Sequence, residues 1–181
     1  DIERPKVNNY LSLATYRPDA TGGYHRRKVQ CVAVHALALD DIGTKAAPLS
    51  RLAAAPPSWV IETSPGNYQA GYIMAAPISD LALADNLQDM LVASGLCDPG
   101  AKGPSARLVR LPVGINGKTK YGGWDCRLVD WAPQRRYSPQ ELVSKLQLTA
   151  PAPKSAAGVV GAQTVGVPIA GTDNAVVAAL K

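Results

Sequence analysis

Cysteine is scarce in this chain and poorly spaced for chemistry. Cys31, Cys97 and Cys126 are odd in number, far apart and without a C-x-x-C pair, which argues against a disulfide framework and a zinc knuckle and leaves three reduced core residues. No uninterrupted apolar run approaches the roughly 20 residues of a membrane helix. The opening DIERPKVNNY lacks the apolar stretch of a secretory signal, so the chain reads as soluble and intracellular. No repeat recurs at a fixed period, which removes solenoids and propellers. What is present is 181 residues, 46% hydrophobic, enough for one ordinary core and too few for two full domains. Nineteen Lys and Arg against 14 Asp and Glu give a net charge of +5, a mild basicity that favours a polyanionic partner.

Composition divides the chain at about residue 150. Residues 151–181 hold eight Ala, four Gly and three Pro with no aromatic, the signature of a linker. The closing DNAVVAALK reads as the first turns of a helix that stops without a C-terminal signal, as in a fragment of a longer protein. Residues 1–150 alternate short β-type and helical runs, predicting a mixed α+β domain. VQCVAVHALAL (29–39) reads as a buried strand, and WVIET and YQAGYIM as strands of a hairpin around SPGN. Ser79 can cap a helix over roughly 80–95, with Leu81, Leu83, Ala84, Leu87, Leu91 and Val92 as its apolar stripe. ARLVRL (106–111) and CRLVDW (126–131) read as strands. In SPQELVSKLQL, Ser138 as cap, Pro139 at the first helical position and Glu141 three residues after the cap spell a capping box.

Three stretches could carry chemistry. In ALDDIGTK, Asp40 and Asp41 end an apolar strand, where paired acids can hold Mg²⁺ or Mn²⁺; taken alone, such a pair is more often a solvated turn. Neighbours on a regular strand face opposite ways, so these two acids need a bulge or turn to converge. In ETSPGNYQAGY, Pro65, Gly66 and Asn67 suit a tight turn that gathers Glu62, Ser64 and Gln69. In CDPGAKGPSARLVRLPVGINGKTKYGG, Asp98 precedes Lys102, Arg107, Arg110, Lys118 and Lys120. Arg110, Asn116 and Lys118 could surround a phosphate, although a charged edge strand is the ordinary alternative.

PVGINGKT ends like a phosphate-binding P-loop, but Pro112 stands where the first Gly is required, and the match fails. His25, Arg26, Arg27 and Lys28 form a basic run that reads first as a solvated loop. Trp59, Tyr68, Tyr72, Tyr121 and Trp124 are candidates for stacking on bases, with cross-strand packing the commoner use of strand aromatics.

The order and spacing of ALDDIGTK, TSPGNYQ and Asp98 followed by RLPVGINGK resemble the RepB-like primase domain of phage and plasmid replication proteins, in the archaeo-eukaryotic primase superfamily. The resemblance covers roughly residues 30–131. It implies a central mixed or antiparallel sheet flanked by helices, with Asp40, Asp41 and Asp98 as catalytic acids holding Mg²⁺ or Mn²⁺. Ser64, Gln69, Arg107, Arg110, Asn116 and Lys118 would then meet nucleotide or DNA. The chain departs from the family pattern in three places: its first acids are adjacent rather than alternating, Gln69 stands where a His is usual, and Val113 stands where the last box has Gly. Gln69 can hydrogen-bond a phosphate oxygen but cannot be protonated.

The activity so implied is that of a primase or primase-polymerase joining nucleoside triphosphates on single-stranded DNA in the cytoplasm of a bacterial host, with a helicase domain expected later in the same chain. The alternative is a module of the same fold that has lost catalysis and binds origin or single-stranded DNA. Metal dependence separates the two. A plain interaction domain is the third class, sustained by ordinary surface explanations of the acids and the basicity.

Overall fold

A computed structural model describes residues 7–151; apart from Pro151, the linker and closing helix read at 151–181 lie outside the described residues. The centre is a six-stranded sheet. Its longest members are β3 (Cys31–Ile42) and β5 (Asn67–Ile78), paired antiparallel. Beyond β5 lie β4 (Trp59–Ser64) and the edge strand β9 (Arg127–Trp131), while β2 (Ala14–Tyr16) borders β3. A two-residue strand, β10 (Arg136–Tyr137), runs parallel to β5 beside Ile73 and Met74, past the stretch that β4 covers. The expected β4–β5 hairpin is present: Ser64 pairs with Asn67 across Pro65 and Gly66, and Gly66 adopts φ 67°, a left-handed value that suits glycine.

Two ribbons stand beside the sheet. β1 (Tyr10–Ser12) pairs with β6 (Leu108–Arg110), and β7 (Ile115–Asn116) with β8 (Trp124–Asp125). One face of the sheet carries helices α1 (Leu81–Ala93) and α2 (Pro139–Leu146), with Leu37, Leu39, Tyr72, Leu87, Leu91 and Leu142 in the principal core. Full burial of each such leucine contributes about 1.5–3 kcal/mol. On the opposite face a smaller cluster gathers Leu13, Ala36, Trp59, Ile61, Val109 and Cys126. All three cysteines are free and buried.

Helix signals were read correctly in kind and shifted in detail. α1 starts one residue later than a Ser79 cap implies, because Asp80 accepts from the amides of Ala82 and Leu83 at 2.9 and 3.2 Å; Asp caps as well as Ser, and its second acceptor bond satisfies a further orphan amide. The helix ends in a Schellman motif: Gly95 has φ 70°, and Leu96 and Gly95 donate to the carbonyls of Leu91 and Val92. That stop turns the chain back alongside the end of β3. In α2 the capping box forms as expected, with Ser138 Oγ accepting from Glu141 N and Glu141 Oε2 from Ser138 N.

Candidate active site

Strand β3 extends beyond its expected end at residue 39 and takes in both acids. Ile42, 1% exposed, returns to the sheet opposite Tyr68 after a register shift that follows Leu39. The shift is absorbed at Asp41, whose φ is 54°. A bulge with its extra residue in the left-handed region is the device that lets neighbouring side chains share one side of a strand. Asp40 and Asp41 therefore line the same polar cavity, of about 290 Å³.

Asp98 reaches that cavity through backbone contacts. Its amide donates to the Asp40 carbonyl at 3.1 Å, and the Asp40 amide donates to Cys97 Sγ at 3.3 Å. The stop of α1 thus sets the third acid beside the first two. Lys45, four residues past Asp41, bridges the group: its Nζ lies 2.5 Å from Asp41 Oδ2 and 3.6 Å from Asp98 Oδ2. Asp41 Oδ1 also accepts from Asn67 Nδ2 at 3.0 Å, and Asn67 Oδ1 accepts from Thr44 Oγ1 at 2.7 Å. Burial pushes the Asp41 carboxyl up, but the hydrogen bonds from Lys45 and Asn67 and the charges of Lys45 and Lys118 outweigh it and hold it below the usual carboxylate value.

Asp40 is engaged differently. Arg107 Nη2 donates to its Oδ2 at 2.6 Å, and Arg107 Nη1 to the Gly100 carbonyl. Arg107 thus braces an acid and is not part of the cavity lining. Gln69, Arg110, Asn116 and Lys118 do line it, together with the acids. Gln69 is 4% exposed, and its Oε1 accepts from the Arg110 amide at 2.8 Å. That bond fixes the amide orientation, leaving Nε2 as a donor with no hydrogen-bond partner among the described residues. Arg110 Nη1 is held by Asn8 Oδ1 and the Ile115 carbonyl, with its guanidinium over the Tyr10 ring. Asn116 is buried and ties β7 to β4 by donating to the Thr63 carbonyl at 2.7 Å. Ser64 is buried at the hairpin turn, off the cavity wall, with no hydrogen-bond partner for its Oγ.

Several lining residues escaped the reading of the sequence. Lys45, Thr63 and Tyr10 belong to the cavity, and Asn67, taken for a turn residue, is a direct partner of Asp41. A Lys four residues after an Asp is the only signal that pointed to any of them. Among the stacking candidates Trp59 and Tyr72 are core residues, while Tyr121 lines the cavity. The displaced glycine of the last box has a structural explanation. Val113 is half exposed, whereas a Cβ on Gly114 would stand 2.7 Å from the Val7 carbonyl, so the position that needs glycine is one residue later. The basic run at 25–28 is largely engaged, with His25 on Asp19, Arg26 on the Ala106 carbonyl and Lys28 on Asp85.

Residues 15–152 match the model of the RepB DNA-primase N-terminal domain. The chain belongs to that family. The fold of this primase domain is also seen in a solved structure. The primase-polymerase domain of cyanophage S-2L superposes with a TM-score of 0.58 at 17% identity, covering 77% of this chain and 70% of that one. The catalytic domain of the primase RepB′, solved in complex with initiator DNA, gives a TM-score of 0.48 at 25% identity over 62% of this chain and 58% of that one. None of the curated proteins matches the chain. Among the described residues of the primase domain, no helix is long and apolar enough to cross a membrane.

The donor set can be tested for a metal. Among the described residues no three acidic, histidine or cysteine side chains converge on one point, yet Asp41 and Asp98 already share one cationic group. Mg²⁺ is commonly held by one or two carboxylates, with water and substrate phosphates completing its shell. The pair fits such an ion, with Asp40 adjacent.

Proposed function

We propose that this primase domain is a nucleotidyltransferase that joins nucleoside triphosphates on a single-stranded DNA template, with Mg²⁺ or Mn²⁺ held by Asp41 and Asp98 and with Asp40 in reserve beside them. The observation that carries this reading is the polarity of the cavity. Acids from two separate stretches and Gln69, Arg110 and Lys118 from two others line one cavity. A triphosphate needs that pairing, because its charge must be neutralised from both sides. Asp41 and Asp98 would hold a divalent cation, which would supply Lewis acidity for an attacking 3′-hydroxyl and for charge on the departing pyrophosphate.

The chain's own groups do the rest. Gln69 Nε2 donates to a phosphate oxygen in the place where the family pattern has His. Lys118 and Arg110 supply fixed positive charge, and the Arg107–Asp40 pair keeps the first acid from turning away. Asn116 acts by bracing the wall. Beyond residue 150 we expect a linker leading to a helicase domain, as the family resemblance implies.

The test is extension of labelled nucleotides on single-stranded DNA with each metal, comparing the parent chain with Asp41→Asn. Metal-dependent product from the parent alone supports the reading. No product from either, with DNA affinity equal in both, would overturn it in favour of a module that binds DNA without catalysis.

A further inference from the structure

Among the described residues, Lys45 is the one side chain that forms ion pairs with two of the three acids. Its backbone is anchored: the Asp41 carbonyl accepts from the amides of Thr44, Lys45 and Ala46 at 3.2, 3.1 and 3.0 Å. The turn is wedged against the hairpin, since a Cβ on Gly43 would stand 2.8 Å from the Gly66 carbonyl. The Lys45 side chain, by contrast, is 65% exposed, so its base is rigid while its head is free to move. Two carboxylates brought this close repel one another unless a cation lies between them.

We infer that Lys45 is a built-in stand-in for the divalent cation: its ammonium holds Asp41 and Asp98 together in the metal-free protein and must leave when the metal binds. The inference rests on the proposed metal role of Asp41 and Asp98. Charge and position both support it. A doubly charged ion replacing a single ammonium matches the two carboxylates fully, and the displaced head group, 65% exposed, has solvent and the cavity that Lys118 also lines to move into. Gln69, nearly fully buried, lining the same cavity and with a donor unpartnered among the described residues, independently marks the cavity as built for an anionic ligand beside the cation. Lys45 is thus a positioning residue, acting on the metal site through the two carboxylates it holds together.

Calorimetric titration of the 181-residue chain with Mn²⁺ in the absence of nucleotide reads this directly. Lys45→Met is expected to bind Mn²⁺ about threefold or more tightly than the parent, the scale of one partly exposed ion pair removed, and Lys45→Arg to bind as the parent does. Asp41→Asn should abolish binding in either background. Lys118→Met controls for the general field of the cavity, and an equal gain there would overturn the inference. Unchanged affinity in Lys45→Met, with the parent binding and Asp41→Asn not, overturns the inference while leaving the metal reading intact. Binding by Lys45→Met where the parent shows none supports it, and absence of binding in both removes inference and metal reading together.

Discussion

Gln69 Oε1 accepts the Arg110 amide at 2.8 Å, so one end of a buried side chain is locked and the other is presented to the cavity. The locked end decides what Gln69 can do. Gln69→Glu keeps the shape and the acceptor but replaces the free donor with an oxygen, and two oxygens facing a triphosphate repel it. We expect KM for nucleotide to rise by at least about tenfold in Gln69→Glu, the effect of replacing one charge-assisted contact by repulsion. Gln69→His should keep activity above about pH 6.5, where a neutral imidazole can accept from the Arg110 amide at one nitrogen and donate at the other. Nucleotide-dependence curves for the three proteins, with circular dichroism to confirm folding, decide the matter; equal KM values throughout would remove Gln69 from the site.

The left-handed backbone at Asp41 separates two functions that a simple truncation would confuse. Asn tolerates φ 54° as readily as Asp, so Asp41→Asn should cost no more than about 1 kcal/mol in urea unfolding, the scale of a partly exposed ion pair, while abolishing Mn²⁺ binding. Asp41→Val should cost more, about 1–3 kcal/mol, because a β-branched side chain is strained there.

A pH dependence follows from the same group. The Asp41 carboxyl is held below its ordinary 3.8, so its contribution to stability is present above the unfolded value and is lost as pH falls through the folded one. The stability gap between the parent and Asp41→Asn should therefore be constant near neutrality and close at acid pH. A gap that widens on acidification would contradict the assignment.

These residues also show what was legible beforehand. The hairpin could be read from Pro65–Gly66, and α2 from its capping box, because both are decided by local chemistry. The acids, Gln69, Arg110 and Lys118 could be found because a family's order of motifs was recognisable. The bulge could be required but not located, since it depends on Ile42 finding a buried place opposite Tyr68. β10 was out of reach because two residues carry no periodicity, and its pairing is set by where β4 stops. Lys45 and Asn67 resemble ordinary turn residues until the α1 stop and the hairpin bring their partners close. Arg107 read as a phosphate ligand because nothing in its neighbourhood along the chain announces Asp40, which is 67 residues away.

Gly71 lies under the Trp59 indole, where a Cβ would fall 2.2 Å from ring carbons. The ring cannot simply swing out, since Trp59 is 6% exposed and packs in the second core cluster. Gly71→Ala should therefore destabilise the domain by about 1–3 kcal/mol through overpacking. Urea unfolding with tryptophan fluorescence reads both the loss and any red shift from displacement of Trp59; unchanged stability would show that the sheet yields at this point.

Cys31 and Cys97 report on the helical face of the sheet and Cys126 on the opposite one. Cys97 is buried between the Asp40 amide and Gln88, and burial pushes its pKa up to about 11; Cys31 and Cys126 are raised by burial as well. Because the thiolate is the reactive form, native protein at pH 8 should react with an aromatic disulfide reagent only at the rate of opening, and denatured protein should titrate three thiols at once. Fast labelling of Cys97 in the native state would place the α1 stop, and with it Asp98, elsewhere.

Arg107 offers the sharpest separation of bracing from binding. It is largely buried at 17% side-chain exposure, and its partner Asp40 is at 29%. Removing the guanidinium in Arg107→Met keeps the stem packed but strands a carboxylate in a poorly solvated place, which should cost about 1–3 kcal/mol. If Arg107 acts only through Asp40, Arg107→Met should lower kcat with nucleotide KM nearly unchanged, and Asp40→Asn with Arg107→Met should be no worse than the more impaired single variant. If Arg107 instead meets phosphate, the two effects add and KM rises. A double-mutant cycle on both stability and kcat therefore tells whether this arginine serves the acid or the substrate.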